Sequence, residues 1–140
     1  MYKKFSISRT VEFCDVDLGG GLYHPNYYKY LDSARVQALA SVGMPFKEFF
    51  RIGTALVVVS IESKFTLPAF FEDNLIIETE IIEVGRTSLS LRQQIFSRGF
   101  SHGETSLKSI HTSIIVLAHV CLEKKKATPL PDQLIERLKI

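Results

Sequence analysis

Apolar and polar residues alternate over residues 5–13. Phe5, Ile7, Val11 and Phe13 fall on one face and Ser6, Ser8, Thr10 and Glu12 on the other, with Arg9 the single misfit. A period of two predicts a half-buried strand. The alternation stops at Gly19-Gly20-Gly21, and a helical pattern follows from about Pro25 to Val42. Tyr27, Leu31, Ala34, Ala38 and Val42 recur at spacings of three and four, and Tyr28, Tyr30, Leu39 and Ala40 widen that stripe, so the helix is wrapped on more than one side. Pro25 suits the first turn and Gly43 the stop. A short second helix is expected from Pro45 to Phe50.

Residues 54–122 read as strands. Ala55 to Ser60 is a β-branched run, followed by Leu75 to Ile82, Ser88 to Phe96 after a turn at Gly85, and Thr105 to Leu122 after a turn at Ser101-His102-Gly103. In the last strand Ile110, Thr112, Ile114, Val116, Ala118 and Val120 share a face. The other face begins polar, at Ser109, His111 and Ser113, and turns apolar at Ile115 and Leu117. That second face is expected to point away from the helix and to be covered by something else. A final amphipathic segment runs from Pro131 to Ile140. Consecutive strands joined by short turns must be antiparallel, because a parallel connection needs a crossover of about a dozen residues. The fold class is therefore α+β, one five-stranded antiparallel sheet curved around a single long helix.

Composition adds limits. The 140 residues form one domain, 1–140, with 46% apolar residues to fill its core. Seventeen Lys and Arg against fifteen Asp and Glu leave a charge of +2, which gives no electrostatic case for nucleic acid. Lys124-Lys125-Lys126 lacks interleaved aromatics and reads as a solvated turn. No apolar run approaches the roughly 18 residues of a membrane span, and the first residues lack the apolar core of a signal peptide. A cytoplasmic location is expected, with Cys14 and Cys121 reduced.

The densest polar information is Asp15-Val16-Asp17-Leu18-Gly19-Gly20-Gly21-Leu22-Tyr23-His24-Pro25-Asn26-Tyr27, between the first strand and the long helix. A phosphate cradle would need the Lys-Ser/Thr ending that is missing here. An aspartyl-phosphate or magnesium site would follow a continuously apolar strand and need a second acidic cluster. The four histidines are scattered, without the spacing of a zinc site, so no metal is expected. Cys14 has no identifiable base and is expected to be a buried, inert thiol. There remains a carboxylate, Asp17, close to a helix N-terminus whose free N–H groups could polarise a carbonyl. The carboxylate could attack that carbonyl or activate a water. His24 sits at the positive end of the helix dipole, which favours neutral imidazole. The residues alone equally allow Asp17 to order the loop and His24 to cap the helix.

The stretch from Val11 to Arg35, VEFCDVDLGGGLYHPNYYKYLDSAR, resembles the signature of the 4-hydroxybenzoyl-CoA thioesterase family of hot-dog-fold acyl-CoA thioesterases. It is most similar to the branch that includes the bacterial thioesterases of the Tol-Pal envelope system. Asp15, Asp17, Gly20, Tyr23, His24, Asn26, Tyr27 and Arg35 keep the pattern, and Pro68-Ala69 with Asp73, then Arg86 and Ser88, match further on. The resemblance implies hydrolysis of an acyl-CoA or acyl-carrier-protein thioester without a cofactor. It implies Asp17 as nucleophile or general base, the backbone N–H of His24 as carbonyl polariser, and His24 as a catalytic residue. Gly20, Tyr23, Asn26, Tyr27 and Arg86 would bind substrate. It also implies a homodimer or homotetramer. An unpaired Val57-Val58-Val59 edge agrees with dimerisation, and Ile115 and Leu117 are expected to serve a second interface. Two alternatives are a hot-dog hydratase or dehydratase, and a non-catalytic acyl-CoA-binding protein.

Overall fold

The computed structural model describes residues 1–99 and 106–140, so the turn expected at Ser101-His102-Gly103 lies outside the described residues. Strand β1 (Lys4–Thr10) leads through a 3-10 turn (Phe13–Asp15) and the glycine loop to helix α1 (His24–Ser41). Helix α2 (Phe46–Arg51) follows, then strands β2 (Thr54–Phe65), β3 (Asn74–Val84), β4 (Ser88–Ser97) and β5 (Lys108–Cys121). The chain ends with a two-residue strand β6 (Lys126–Ala127) and helix α3 (Asp132–Leu138). The sheet order is β1-β3-β4-β5-β2, antiparallel throughout, with β6 beside β5. It curves around α1 as the hot-dog resemblance implies, with β6 a small addition to the five expected strands.

Three expectations change. The first strand stops at Thr10 rather than running to residue 13, because Val11 N–H bonds the Asp73 carbonyl and Val11 C=O accepts from Glu72 N–H. That exchange pulls the chain off the ladder, so Phe13 is 75% exposed in the 3-10 turn and Cys14 is exposed rather than buried. Ala40 lies outside the buried stripe of α1.

The largest correction concerns β5. Its buried side chains are Ile110, at a bulge opposite Ile95 and Phe96, and then His111, Ser113, Ile115, Leu117 and His119, and the alternate residues Ile114, Val116, Ala118 and Val120 are half-buried on the outer face. Ile115 and Leu117 thus face α1, and a second interface cannot be built on them. Apolar content alone selects the wrong face because the inner face carries hydrogen-bonded polar groups. His119 bonds Thr54 Oγ1 (2.8 Å) and the Pro129 carbonyl (2.8 Å), and His111 bonds Ser113 Oγ (2.7 Å).

Strand β2 is twice as long as its β-branched run and carries a bulge between Val58 and Ser60. Leu56 and Val58 pair with His119 and Leu117; beyond the bulge Ile61, Ser63 and Phe65 pair with Ile115, Ser113 and His111. The extra residue keeps both halves of β2 facing inward.

Under the middle of α1 lies a buried polar bridge. Gln93 Nε2 donates to the Leu31 carbonyl (3.1 Å) and to Thr79 Oγ1 (2.9 Å), while its Oε1 accepts from Arg35 Nη1 (2.7 Å). Arg35 also pairs with Asp32. Burial pulls the guanidinium below its ordinary pKa in spite of that carboxylate. The bridge fixes how α1 sits on the sheet, and hence where its N-terminus points. Gln93→Leu removes both polar ends at similar volume and leaves Arg35 and Thr79 short of partners. We expect a loss of about 3 kcal/mol in urea unfolding. A change within about 0.5 kcal/mol, ordinary for a surface site, would contradict the role.

Candidate active site

The glycine loop is a closed turn. Asp17 N–H bonds the Gly21 carbonyl (2.8 Å), and Gly20 N–H bonds the Asp17 carbonyl (3.0 Å). Asp17 Oδ1 accepts from Gly19 N–H (2.9 Å) and Gly21 N–H (3.3 Å). Gly20 takes φ +82°, a left-handed conformation that a Cβ would strain. A Cβ on Gly19 would stand 3.4 Å from Asp17 Oδ1. The glycines therefore let the backbone fold around one oxygen of the carboxylate, and the other oxygen has no hydrogen-bond partner among the described residues.

The segment matched at Pro68-Ala69 and Asp73 braces this loop. Leu22 N–H bonds the Ala69 carbonyl (2.8 Å), and Phe71 N–H bonds the Gly20 carbonyl (3.0 Å). Asp73 Oδ2 accepts from Phe70 N–H (2.8 Å) and closes the turn. Tyr27 is buried, and its hydroxyl accepts from Ala69 N–H (3.2 Å). Burial pushes that phenol above its ordinary pKa.

Asp15 joins the loop to the helix. It is 2% exposed and accepts from Lys29 Nζ (2.5 Å) and Tyr30 Oη (2.8 Å). Its carbonyl accepts from Tyr23 N–H (3.0 Å) and Asn26 Nδ2 (2.9 Å). Burial alone would raise the carboxyl; the hydrogen bonds from Lys29 and Tyr30 outweigh it and hold the group below its ordinary value. Tyr30 is pushed up to about 12 by burial and by that carboxylate. Cys14 has its thiol raised by desolvation and by the neighbouring Asp15 and Glu12, which disfavours a thiolate nucleophile despite its exposure.

Asp17, Gly20, Tyr23 and Asn26 come together along one surface groove of about 640 Å³, floored by Val16 and walled by Phe13 and Phe71. At its side α1 begins. Pro25 has no N–H and Asn26 N–H is spent on the Tyr23 carbonyl (2.8 Å), while His24 N–H meets no acceptor among the described residues. The His24 ring leans on Tyr23 (5.0 Å between centroids) and toward Phe65 (6.5 Å), and no hydrogen bond joins it to Asp17. Arg86 is not part of this cluster. It sits in the β3–β4 turn, whereas the loop adjoins Asn74 at the other end of the eleven-residue β3, roughly 35 Å away along the strand.

Sequence reasoning left Asp15 a minor part and did not find Lys29, Tyr30 or the inward-facing Ser63, Ser113 and His111. Lys29 and Tyr30 could have been found from their place on the helix one turn beyond Asn26. The inner polar residues carried the opposite signal, since they interrupt an apolar pattern.

Known proteins share this architecture. Residues 11–138 match the model of the Thioesterase-like superfamily, so the chain belongs to that superfamily and is a thioester hydrolase. The 4-hydroxybenzoyl-CoA thioesterase of Pseudomonas sp. (strain CBS-3) is 30% identical over 141 residues, covering 97% of this chain and 98% of that one. The acyl-CoA thioester hydrolase YbgC of Shigella flexneri is 28% identical over 131 residues, covering 92% and 91%. The solved structure of the Pseudomonas enzyme superposes with a TM-score of 0.83 at 24% identity, covering 96% of this chain and 98% of that one.

A carboxylate whose folded pKa is depressed adds stability above its unfolded value and loses it as pH falls through the folded value. Asp15→Asn should therefore cost about 2 kcal/mol in urea unfolding at pH 7. The gap to wild type should close as pH is lowered below 3.8, the ordinary value of the carboxyl. A gap that stays constant down to pH 2 would contradict the assignment.

Proposed function

We propose that the chain hydrolyses acyl thioesters of coenzyme A, with the Asp17 carboxylate as nucleophile or general base. The observation that carries this reading is the loop itself. Two glycine N–H groups hold one carboxylate oxygen and leave the other unpaired beside a groove at the start of α1. A thioester carbonyl seated there would be polarised by His24 N–H, an unspent donor at the positive end of the helix. In the base route Asp17 takes a proton from water, the hydroxide adds to the carbonyl, the C–S bond breaks, and the thiolate takes up the proton. In the nucleophile route Asp17 itself adds and expels the thiolate, and water then cleaves the mixed anhydride. A single turnover in ¹⁸O-water separates the base route, which labels the first acid released, from a nucleophile route in which water attacks the Asp17 carbonyl carbon, which leaves the label on Asp17. The His24 ring faces Phe65 rather than Asp17, which weighs against an Asp/His pair acting on a double bond. An acyl carrier protein in place of coenzyme A uses the same thioester chemistry.

Assembly belongs to this reading. Among the described residues β2 has a strand partner on one side only, and its inward residues Val58, Ile61 and Phe65 remain 41–46% exposed because α1 does not cover them. We expect a homodimer through this edge, and a tetramer, if formed, to use the outer face of the sheet. Arg86 can serve the substrate bound at Asp17 only from a second copy. Among the described residues no helix is long and apolar enough to cross a membrane.

Asp17→Asn keeps the shape and removes the charge, so turnover should fall about a thousandfold with acyl-CoA binding retained. Retention of more than a tenth of the wild-type rate would overturn the role. His24→Ala should cost less than Asp17→Asn, with turnover per folded molecule reduced. A lowered melting temperature at unchanged turnover would make His24 a cap only. Light scattering at micromolar concentration should show a dimer or larger, and a fully active monomer of about 16 kDa would overturn the shared-edge reading.

A further inference from the structure

The run Lys124-Lys125-Lys126 takes no part in the site around Asp17, and the fold gives it neighbours that spacing along the chain does not reveal. Lys125 N–H bonds the Cys121 carbonyl (2.8 Å), so residues 122–125 form a tight turn, with Lys126 opposite Cys121 in β6. Leu122 N–H bonds the Gly53 carbonyl (3.0 Å), which sets this turn against the end of α2. Phe50, Ile52 and Leu122 are 46–58% exposed there. Around them stand Lys124, Lys125, Lys126, Arg51 and, one turn earlier on the exposed side of α2, Lys47. Against these cations there are two carboxylates, Glu123 and Glu48, and Arg51 pairs with Glu48 (3.0 Å). Among the described residues none of the four lysines forms an ion pair. An exposed apolar centre inside a charged rim has the make-up of a docking surface, and this rim calls for an acidic partner.

Strand β2 starts at this patch and ends at the candidate active site. Thr54 follows Gly53, and at the far end Phe65 packs on Tyr27 (5.0 Å) and faces His24 (6.5 Å). The 12 residues of β2 extend roughly 36 Å. A pantetheine arm is about as long as six extended residues, roughly 20 Å, so a carrier docked on the patch cannot place its thioester at Asp17 of the same chain. The homodimer expected through the β2 edge changes that distance. Two β2 strands related by a two-fold axis run antiparallel, so with full overlap Thr54 of one copy stands level with Phe65 of the other. The patch of one copy then adjoins the start of α1 in the other, within reach of the arm. The same symmetry sends the two patches out of opposite ends of the shared sheet. One flat bilayer would meet only one of them, whereas a small protein can bind each.

We infer that the patch docks an acidic protein that carries the acyl group on a pantetheine arm and delivers it to Asp17 of the other copy. The lysine rim steers an acidic carrier toward this end of the sheet, and Phe50, Ile52 and Leu122 supply the apolar contact that holds it. The length of β2 fixes which of the two sites the arm can enter. The inference rests on the thioesterase reading and on the shared β2 edge. It concerns what presents the thioester rather than how the thioester is cleaved. The patch residues touch the carrier and none of the reacting atoms.

The test uses a panel of acyl groups, each loaded on coenzyme A, on a purified bacterial acyl carrier protein and on pantetheine alone. With the full chain, kcat/KM should be about tenfold or more higher for the carrier protein than for coenzyme A, and about 0.5 M NaCl should remove most of that advantage. Lys124→Glu combined with Lys126→Glu should cost the carrier thioester about tenfold, through KM, and leave the coenzyme A thioester within about twofold. Leu122→Ser should lower kcat/KM for the carrier thioester alone. Thermal melts of the same preparations identify a variant that fails to fold, and the wild-type salt dependence decides in that event. Equal losses on the carrier and coenzyme A thioesters, with acyl-pantetheine unaffected, would make the patch a phosphate site of the coenzyme and overturn the docking. Sedimentation with phosphatidylglycerol vesicles without any carrier preference, or a preference that survives in both folded variants, overturns it too. Each of these results leaves thioester hydrolysis standing. Hydrolysis of no thioester in the panel overturns both readings.

Discussion

The tie between Asp15 and α1 governs the rest of the site. A carboxylate buried to this degree is costly unless its charge is matched. Here Lys29 and Tyr30, neighbours on one helix, match it, and the backbone carbonyl of the same residue holds Tyr23 and Asn26. One residue thus fixes the loop to the helix from both its side chain and its main chain. Asp17, two positions on, inherits its place from that anchor and its orientation from the glycine N–H groups. The helix in turn is located on the sheet by Arg35, Gln93 and Thr79, so the position of the loop depends on polar contacts made in the core.

That dependence explains an unusual distribution of polarity. The inner face of the sheet carries Thr79, Gln93, Ser113, His111 and His119, each with a hydrogen-bond partner, while the outer face carries Ile114, Val116 and Ala118. Apolar packing alone would allow the helix to slide along the sheet. Directional bonds to Leu31 and Arg35 do not, and they hold the first turn of α1 in register with the strand ends that brace the loop.

The order of elements, the antiparallel sheet and the single long helix were legible in the sequence, because turn lengths forbid parallel pairing and the period of α1 is clear. So was the loop from Asp15 to Tyr27, whose residue types are too specific to be a plain connection. The inward face of β5 was not legible. Reading it required weighing Ser113 and His111 as hydrogen-bonded core groups, and Ser63, which bonds Ser113, is 50 residues away in the chain. Val11 to Cys14 misled for a related reason: alternation continues past Thr10, but Asp73 takes the hydrogen bond that would have extended the strand. Arg86 was read correctly as part of a turn, yet nothing in a one-dimensional pattern reveals that this turn stands at the opposite end of the sheet from Asp17.

The bulge in β2 has a bearing on how the chain tolerates insertion and deletion. Side chains along a strand alternate strictly, so one extra residue between Val58 and Ser60 reverses the phase of everything after it. If Val59 took a regular place in the ladder instead of bulging, Ser60, Glu62 and Lys64 would turn toward the helix, and Ile61, Ser63 and Phe65 would turn to the outer surface. A single codon gained or lost just beyond the bulge would place a carboxylate and an ammonium group where Ser113 and His111 now find their neighbours. The site would lose its shape while every residue around Asp17 stayed the same.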